Sequence, residues 1–191
     1  MTAFTVIAEL DELLKPLRFT RKKMVWNRLV GRVVDVVDIQ ISKAGDTITV
    51  NTGVLDRDVH AKLWNEQPPS FVQEPSCTVR ARVGELINGH DRWWPLNKTE
   101  PALQVSRGVH AHVLPFLERM QAREAMEEWL VTTQVVRKKY PPPILSLAIL
   151  MGTRGKFDEA CALLADLRSK SFGAWRARCE DVAKRLGCAS G

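Results

Sequence analysis

Apolar and polar residues alternate through Val33–Val54, and past residue 100 this gives way to a three-to-four-residue period. In the first stretch Val37, Ile39, Ile41, Ile48, Val50 and Val54 fall on one side of a β-hairpin. Asp38, Gln40, Ser42, Thr49 and Asn51 fall on the other, because successive strand side chains point to opposite faces. A two-residue turn at Gly45-Asp46, with Gly supplying the positive φ, predicts Ile41 opposite Val50, Gln40 opposite Asn51 and Ile39 opposite Thr52. A slip of one residue would mix the two sets, so the pattern itself argues for a hairpin with one apolar and one polar face.

The rest of the chain reads in the same way. Phe4, Ile7, Leu10 and Leu14 predict a helix capped by Thr2 and ended near Leu14 by Pro16. Met24–Leu29 alternates around Trp26, and Gly31 turns the chain into the hairpin. Asp58–Asn65 predicts a short helix, followed by a loop through Pro68-Pro69 and Pro75. Cys77, Val79, Ala81 and Val83 alternate with Thr78, Arg80 and Arg82, and Arg92–Leu96 predicts a last short strand that Pro95 confines to an edge. Residues 103–121 predict one long helix or a helix broken at Pro115, and 123–138 another. Tyr140-Pro141-Pro142-Pro143 reads as an extended, stiff connector, with helices beyond it over 144–151, 157–167 and 174–186. The spacing from Leu147-Ala148 to Gly155-Lys156-Phe157 resembles a tetratricopeptide hairpin. One copy falls short of the roughly three repeats such an array needs, so a single docked hairpin is expected. The expected fold class is α+β: an antiparallel sheet of about five strands packed by helices over 1–140, with a helical, hairpin-like extension over 141–191 docked on it.

Several pieces recur in a telling order: Leu14-Lys15-Pro16-Leu17-Arg18-Phe19-Thr20-Arg21-Lys22, Trp26-Asn27-Arg28, Val37-Asp38-Ile39-Gln40 and Val50-Asn51-Thr52-Gly53-Val54. Cys77, Arg82-Val83-Gly84-Glu85-Leu86 and Trp93-Trp94-Pro95-Leu96 follow. Together they resemble an uncharacterised bacterial family, the domain of unknown function 4304, over residues 4–120. The resemblance implies an α+β fold, no known activity and no catalytic residues. One departure is Arg18, where the family is expected to place Gly before Phe19, which makes a positive-φ backbone harder to hold there.

Composition excludes more than it assigns. With 45% hydrophobic and 26% charged residues the chain has an ordinary globular balance, and no window approaches the roughly 20 apolar residues of a membrane span. Met1-Thr2-Ala3-Phe4 shows neither a basic n-region nor a cleavage site, so cytoplasmic residence is the expectation. The four cysteines, at 77, 161, 179 and 188, include no CxxC and are then expected as free thiols rather than two disulfides. Net charge is +6, of which residues 101–191 carry +5. Such a bias suits acidic partners or simply solvates a helical surface.

No catalytic motif is present: there is no GxSxG, no phosphate-cradling glycine loop and no HExxH, so neither catalytic residues nor a cofactor is assigned. His110 and His112, two apart, share a face only on a strand, and no metal ligands are assigned. Cys77 falls on the expected core face, where burial keeps a thiol inert. Arg18, Arg21, Lys22 and Lys23 beside Trp26 form a basic patch that either contacts phosphates or solvates the end of the first helix. Of Trp93 and Trp94, adjacent strand residues, one belongs in the core and the other on the polar face, or helices cover both. Asp38, Gln40 and Asn51, joined by Arg80 and Arg82, form either a structural network or a binding surface for a carboxylate, phosphate or peptide. The expected function is a non-enzymatic interaction module with a protein partner. Nucleic-acid binding through the basic patch is the alternative, and a small-molecule enzyme using the polar face the third.

Overall fold

A computed structural model describes residues 3–96, 101–135 and 141–188. It is an α+β protein that divides into two compact units, one built from Met1–Leu55 with Pro69–Gln121, the other from Asp56–Pro68 with Ala122–Gly191. The division thus falls beside residue 121 and takes in the segment around residue 60; it does not fall at the prolines of 141–143.

The first unit holds the sheet. Helix α1 (Ala3–Leu14) ends where Pro16 opens a single 3-10 turn, and Arg18 closes that turn at φ 67. The positive φ survives without glycine: the Arg18 N–H bonds to Lys15 C=O, and the Phe19 N–H to Leu14 C=O. Thr2, the expected cap, lies outside the described residues. Strands β1 (Thr20–Lys22), β2 (Val25–Val30), β3 (Val33–Ile41), β4 (Thr47–Asp56) and β5 (Val79–Arg82) lie in chain order across the sheet, and β6 (Trp94–Pro95) pairs with β4. The strand expected over Arg92–Leu96 shrinks to these two residues.

The β3–β4 register differs from the expected one. The Ser42 N–H donates to Thr47 C=O at 2.9 Å, so the two residues stand opposite each other and the loop holds four residues, 43–46. Gly45, at φ 75, donates to Ser42 C=O inside it. Farther along, Thr52 Oγ1 reaches Val36 C=O at 2.8 Å, which the same register allows and the expected one does not. Ile41 therefore faces Ile48, Ile39 faces Val50 and Asp38 faces Asn51. The shift is two residues, so every side chain keeps the face that alternation gave it.

One face packs against helices. Trp26, Val37, Ile39, Ile48, Val50, Val54, Val79 and Trp94 are buried there with Val6, Leu10 and Leu14 of α1. The Trp26 indole anchors α1 by donating to Asp11 at 2.8 Å. Asp11 also takes Lys15 and Arg21; burial works to raise its pKa, and these partners outweigh it and hold the carboxyl below its usual range. After the short α3 (Val83–Asn88), the helix expected over 103–121 is continuous but not uniform. It runs as α4 (Pro101–Gly108), a π-helical turn over Val109–Val113 and α5 (Leu114–Arg119). The Leu114 N–H reaches back to Val109 C=O, and the widened turn admits the ring of Pro115 without breaking the helix.

The second unit is helical: α2 (Arg57–Trp64), α6 (Arg123–Trp129) with a π-helical end over Leu130–Val135, α7 (Pro141–Thr153), α8 (Phe157–Lys170) and α9 (Gly173–Leu186). The three prolines do not form an extended connector. They occupy the first turn of α7, where an amide has no acceptor within the helix to lose. Asp56 caps α2 by accepting from the Asp58 and Val59 amides, and Arg123 grips the same carboxylate at 2.8 and 3.0 Å. Arg178 and Arg185 of α9 donate to the carbonyls of Lys62, Leu63 and Trp64 at the other end of α2. Contrary to the expectation of free thiols, Cys161 and Cys188 form a disulfide, while Cys77 and Cys179 are free.

Candidate functional site: the polar face of the sheet

Opposite residues on neighbouring strands make rows across the polar face. One row runs Lys22, Val25, Asp38, Asn51, Arg82; the next runs Thr20, Asn27, Val36, Gly53, Arg80; on the other side Gln40 stands against Thr49. The second row is partly apolar: Val25, Val36 and Leu55 are covered by Val72, with Phe71 and Cys77 packed against them. The Asn27 side chain holds this crossing segment by exchanging two hydrogen bonds with the Val72 backbone, at 3.0 and 2.6 Å.

Asn51 Nδ2 donates to Gln40 Oε1 at 3.0 Å, and its amide favours the charged form of Asp38, which stands opposite it. Arg82 donates to Asp91 through Nη1 and to Gln40 Oε1 through Nη2 at 3.3 Å, and its guanidinium carbon lies 5.7 Å from the centre of the Trp93 ring. Trp93 Nε1 donates to the same Asp91 oxygen at 3.0 Å. One carboxylate thus fixes both members of a cation–π pair. Arg80 is engaged differently. It makes a two-pronged bond to Glu74, at 2.6 and 2.8 Å, and that carboxylate is only 5% exposed.

Two glycines let the return segments close on this face. A Cβ on Gly53 would stand 2.7 Å from both Cys77 Cβ and Val79 O. One on Gly84 would stand 2.3 Å from His90 O and 2.5 Å from Arg92 N. Gly53 therefore admits the segment bearing Glu74 and Cys77, and Gly84 admits the one bearing Asp91 and Trp93.

Burial and the charge of Glu74 push the Asp38 carboxyl up to about 6, against the pull of Asn51. No cation pairs with Asp38 among the described residues. Cys77 does not share a face with Val79; the turn Glu74–Ser76 places it against the polar-face cluster, beside Gly53. Burial first, and then Glu74, push its thiol well up, so it is no thiolate nucleophile at neutral pH. Thr49 is wholly buried, and its hydroxyl has no hydrogen-bond partner among the described residues.

Of the residues singled out in the sequence, Asp38, Gln40, Asn51, Arg82 and Trp93 come together. Arg80 sits one row along. Trp94 does not belong to the surface: it is buried opposite Ile48 on the helix-packed face, with Arg92 over its ring at 5.0 Å. Sequence reasoning missed Asp91 and Glu74. Asp91 carried a signal in its two-residue spacing from Trp93, whereas Glu74 lies in a proline-rich loop with none. The basic patch is partly committed elsewhere: Arg21 bonds Asp11 at 3.0 Å, and Lys22 lies 4.8 Å from the Phe71 ring centre. Arg18 and Lys23 are held at positive φ. Near it, a groove of about 390 Å³ is lined by Ala8, Asp11, Glu12, Lys15 and Pro16. No group of three or more His, Cys, Asp or Glu among the described residues is placed to hold a metal ion.

These features define an α+β domain that packs one sheet face with helices and presents an ordered polar row on the other. The chain belongs to the family of the domain of unknown function DUF4304, whose model matches residues 10–119, the span that carries every residue of the row. No curated protein and no solved structure matches the chain.

Proposed function

We propose that the protein is a non-enzymatic interaction module that binds a protein partner on the polar face of its sheet. The observation that carries this reading is the Arg82–Trp93–Asp91 arrangement. The Arg82 and Asp91 side chains are 35% and 44% exposed, a setting in which an ion pair contributes at most about 1 kcal/mol to stability. Such order on a surface, with an aromatic ring and a guanidinium held in place, suits recognition, where Trp and Arg dominate binding energy. The partly buried Arg80–Glu74 pair, by contrast, has the character of a structural brace.

Charge favours a protein over a nucleic acid here. Asp38, Glu74 and Asp91 match Lys22, Arg80 and Arg82 in number and both arginines are already ion-paired, so a polyanion gains little from such a face. Nucleic-acid binding would have to use Arg18, Lys22 and Lys23 instead. No helix among the described residues is long and apolar enough to cross a membrane. Cytoplasmic residence is part of the proposal, and the Cys161–Cys188 disulfide is the feature that weighs against it.

The test places a photo-crosslinking residue at Gln40 in the native cell, with the same residue at Arg176 as a control. The reading expects a discrete protein adduct from position 40 and none from 176. Nucleic-acid adducts, or no adduct from position 40, would contradict it.

A further inference from the structure

We infer that the partner brings a cationic side chain, a lysine or an arginine, to this surface and seats it against Asp38 beside Gln40. The inference rests on the reading of the polar face as a protein-binding surface and names what that surface recognises.

The charged groups on the face are Asp38, Glu74, Asp91, Lys22, Arg80 and Arg82, with the neutral Cys77 thiol among them; Lys22, at the far end of the Asp38 row, lies over the Phe71 ring. Both guanidiniums are paired, Arg80 with Glu74 and Arg82 with Asp91. Asp38 is left over. It is half-buried, it feels the like charge of Glu74, and among the described residues the Asn51 amide alone favours its charged form. An ionised carboxylate has about four acceptor positions, so most of the bonding capacity of Asp38 is unused. Half-burying a charge without a counter-charge is costly, and burial together with Glu74 drives the group up to about 6. A cation from outside would relieve both effects.

In the neighbouring row the Thr49 hydroxyl is fully buried on the same face, opposite Gln40, with no hydrogen-bond partner among the described residues. Gln40 itself is exposed beside it. Gln40 Oε1 already accepts from Asn51 and Arg82, so the free acceptor positions here are those of the Asp38 carboxylate, which suits an ammonium or guanidinium donor rather than an anion. A metal ion is a poorer fit, because no third acidic, histidine or cysteine ligand joins Asp38 and Glu74 among the described residues.

The test titrates the full chain with acetyl-Gly-Arg-Gly-amide and acetyl-Gly-Lys-Gly-amide, using acetyl-Gly-Gln-Gly-amide as the neutral control. The side-chain amides of Gln40 and Asn51 and the Trp93 indole N–H are followed by NMR. The cationic peptides should give saturable shifts at these groups and the neutral one none, with binding about fivefold weaker in Asp38→Asn. Binding by the wild-type chain should also weaken from about pH 7.5 to about pH 5, as Asp38 takes up a proton. This pH series stands alone if the variant does not fold. Equal response to the neutral peptide, no saturation, or pH-independent binding would overturn the inference. A protein adduct at Gln40 together with failure of the cationic peptides would remove this inference and leave the docking surface standing.

Discussion

At the scale of single residues, Asp38 sets stability against recognition. An ordinary aspartate titrates near 3.8, and here burial and Glu74 lift the group to about 6. A raised pKa means that the folded state holds the proton more tightly than the unfolded chain does. The stability that this proton contributes is complete below about pH 3.8 and is lost as pH rises through about 6. Asp38→Asn, a neutral mimic of the protonated acid, should therefore raise the melting temperature at pH 8, by an amount that shrinks toward pH 4. A difference that stays constant with pH would show that Asp38 is not strained by its charge. Arg18 presents a different residue-scale conflict. At φ 67 a side chain is strained where glycine is not, so Arg18→Gly should stabilise the fold by about 1 kcal/mol in a denaturant melt. Destabilisation would mean that the Arg18 side chain, not its backbone, does the holding.

At the scale of elements, the site depends on segments that return over the sheet rather than on the strands alone. Gly84 lies where the backbone of His90 and Arg92 crosses α3, and a methyl group there meets backbone that cannot swing aside. Gly84→Ala should cost about 2–4 kcal/mol and displace Trp93, read as a melting-temperature loss with a shift in tryptophan fluorescence. A fully stable variant would show that the segment yields easily. The same distinction separates what the sequence made legible from what it hid. Alternation assigned the faces of β3 and β4 because face depends only on parity. The register needed the loop length, and Gly45 served a four-residue loop as readily as the two-residue turn. The α7 prolines were misread because composition alone cannot tell a rigid linker from a first helical turn. The Cys161–Cys188 bond spans 27 residues between α8 and the chain beyond α9, a proximity that tertiary packing alone creates. Asp38, Gln40, Asn51 and Arg82 were legible as a cluster because strand neighbours share a face; Glu74 arrives on an irregular loop whose path no local pattern encodes.

At the scale of the whole molecule, the helical unit draws on chain from two places, 56–68 and 122 onward. Helix α7 is buried through Leu145–Leu150 and packs on α2, while Arg178 and Arg185 close the carbonyl end of that helix. Truncation after Tyr140 should therefore strip α2 and α6 of their cover and lower the melting temperature or cause aggregation. A truncated chain as soluble and stable as the full one would show that α2 and α6 need no such cover. The sheet unit, in turn, carries the proposed function, and its central claim is that the polar face is a docking surface whose key is the charge of Asp38. The most direct measurement is the yield of the Gln40 photo-crosslink to its protein partner in Asp38→Asn against the otherwise unchanged chain. The predicted result is an adduct largely lost from a variant that melts at or above the temperature of the parent. An undiminished adduct from that stable variant would contradict the claim.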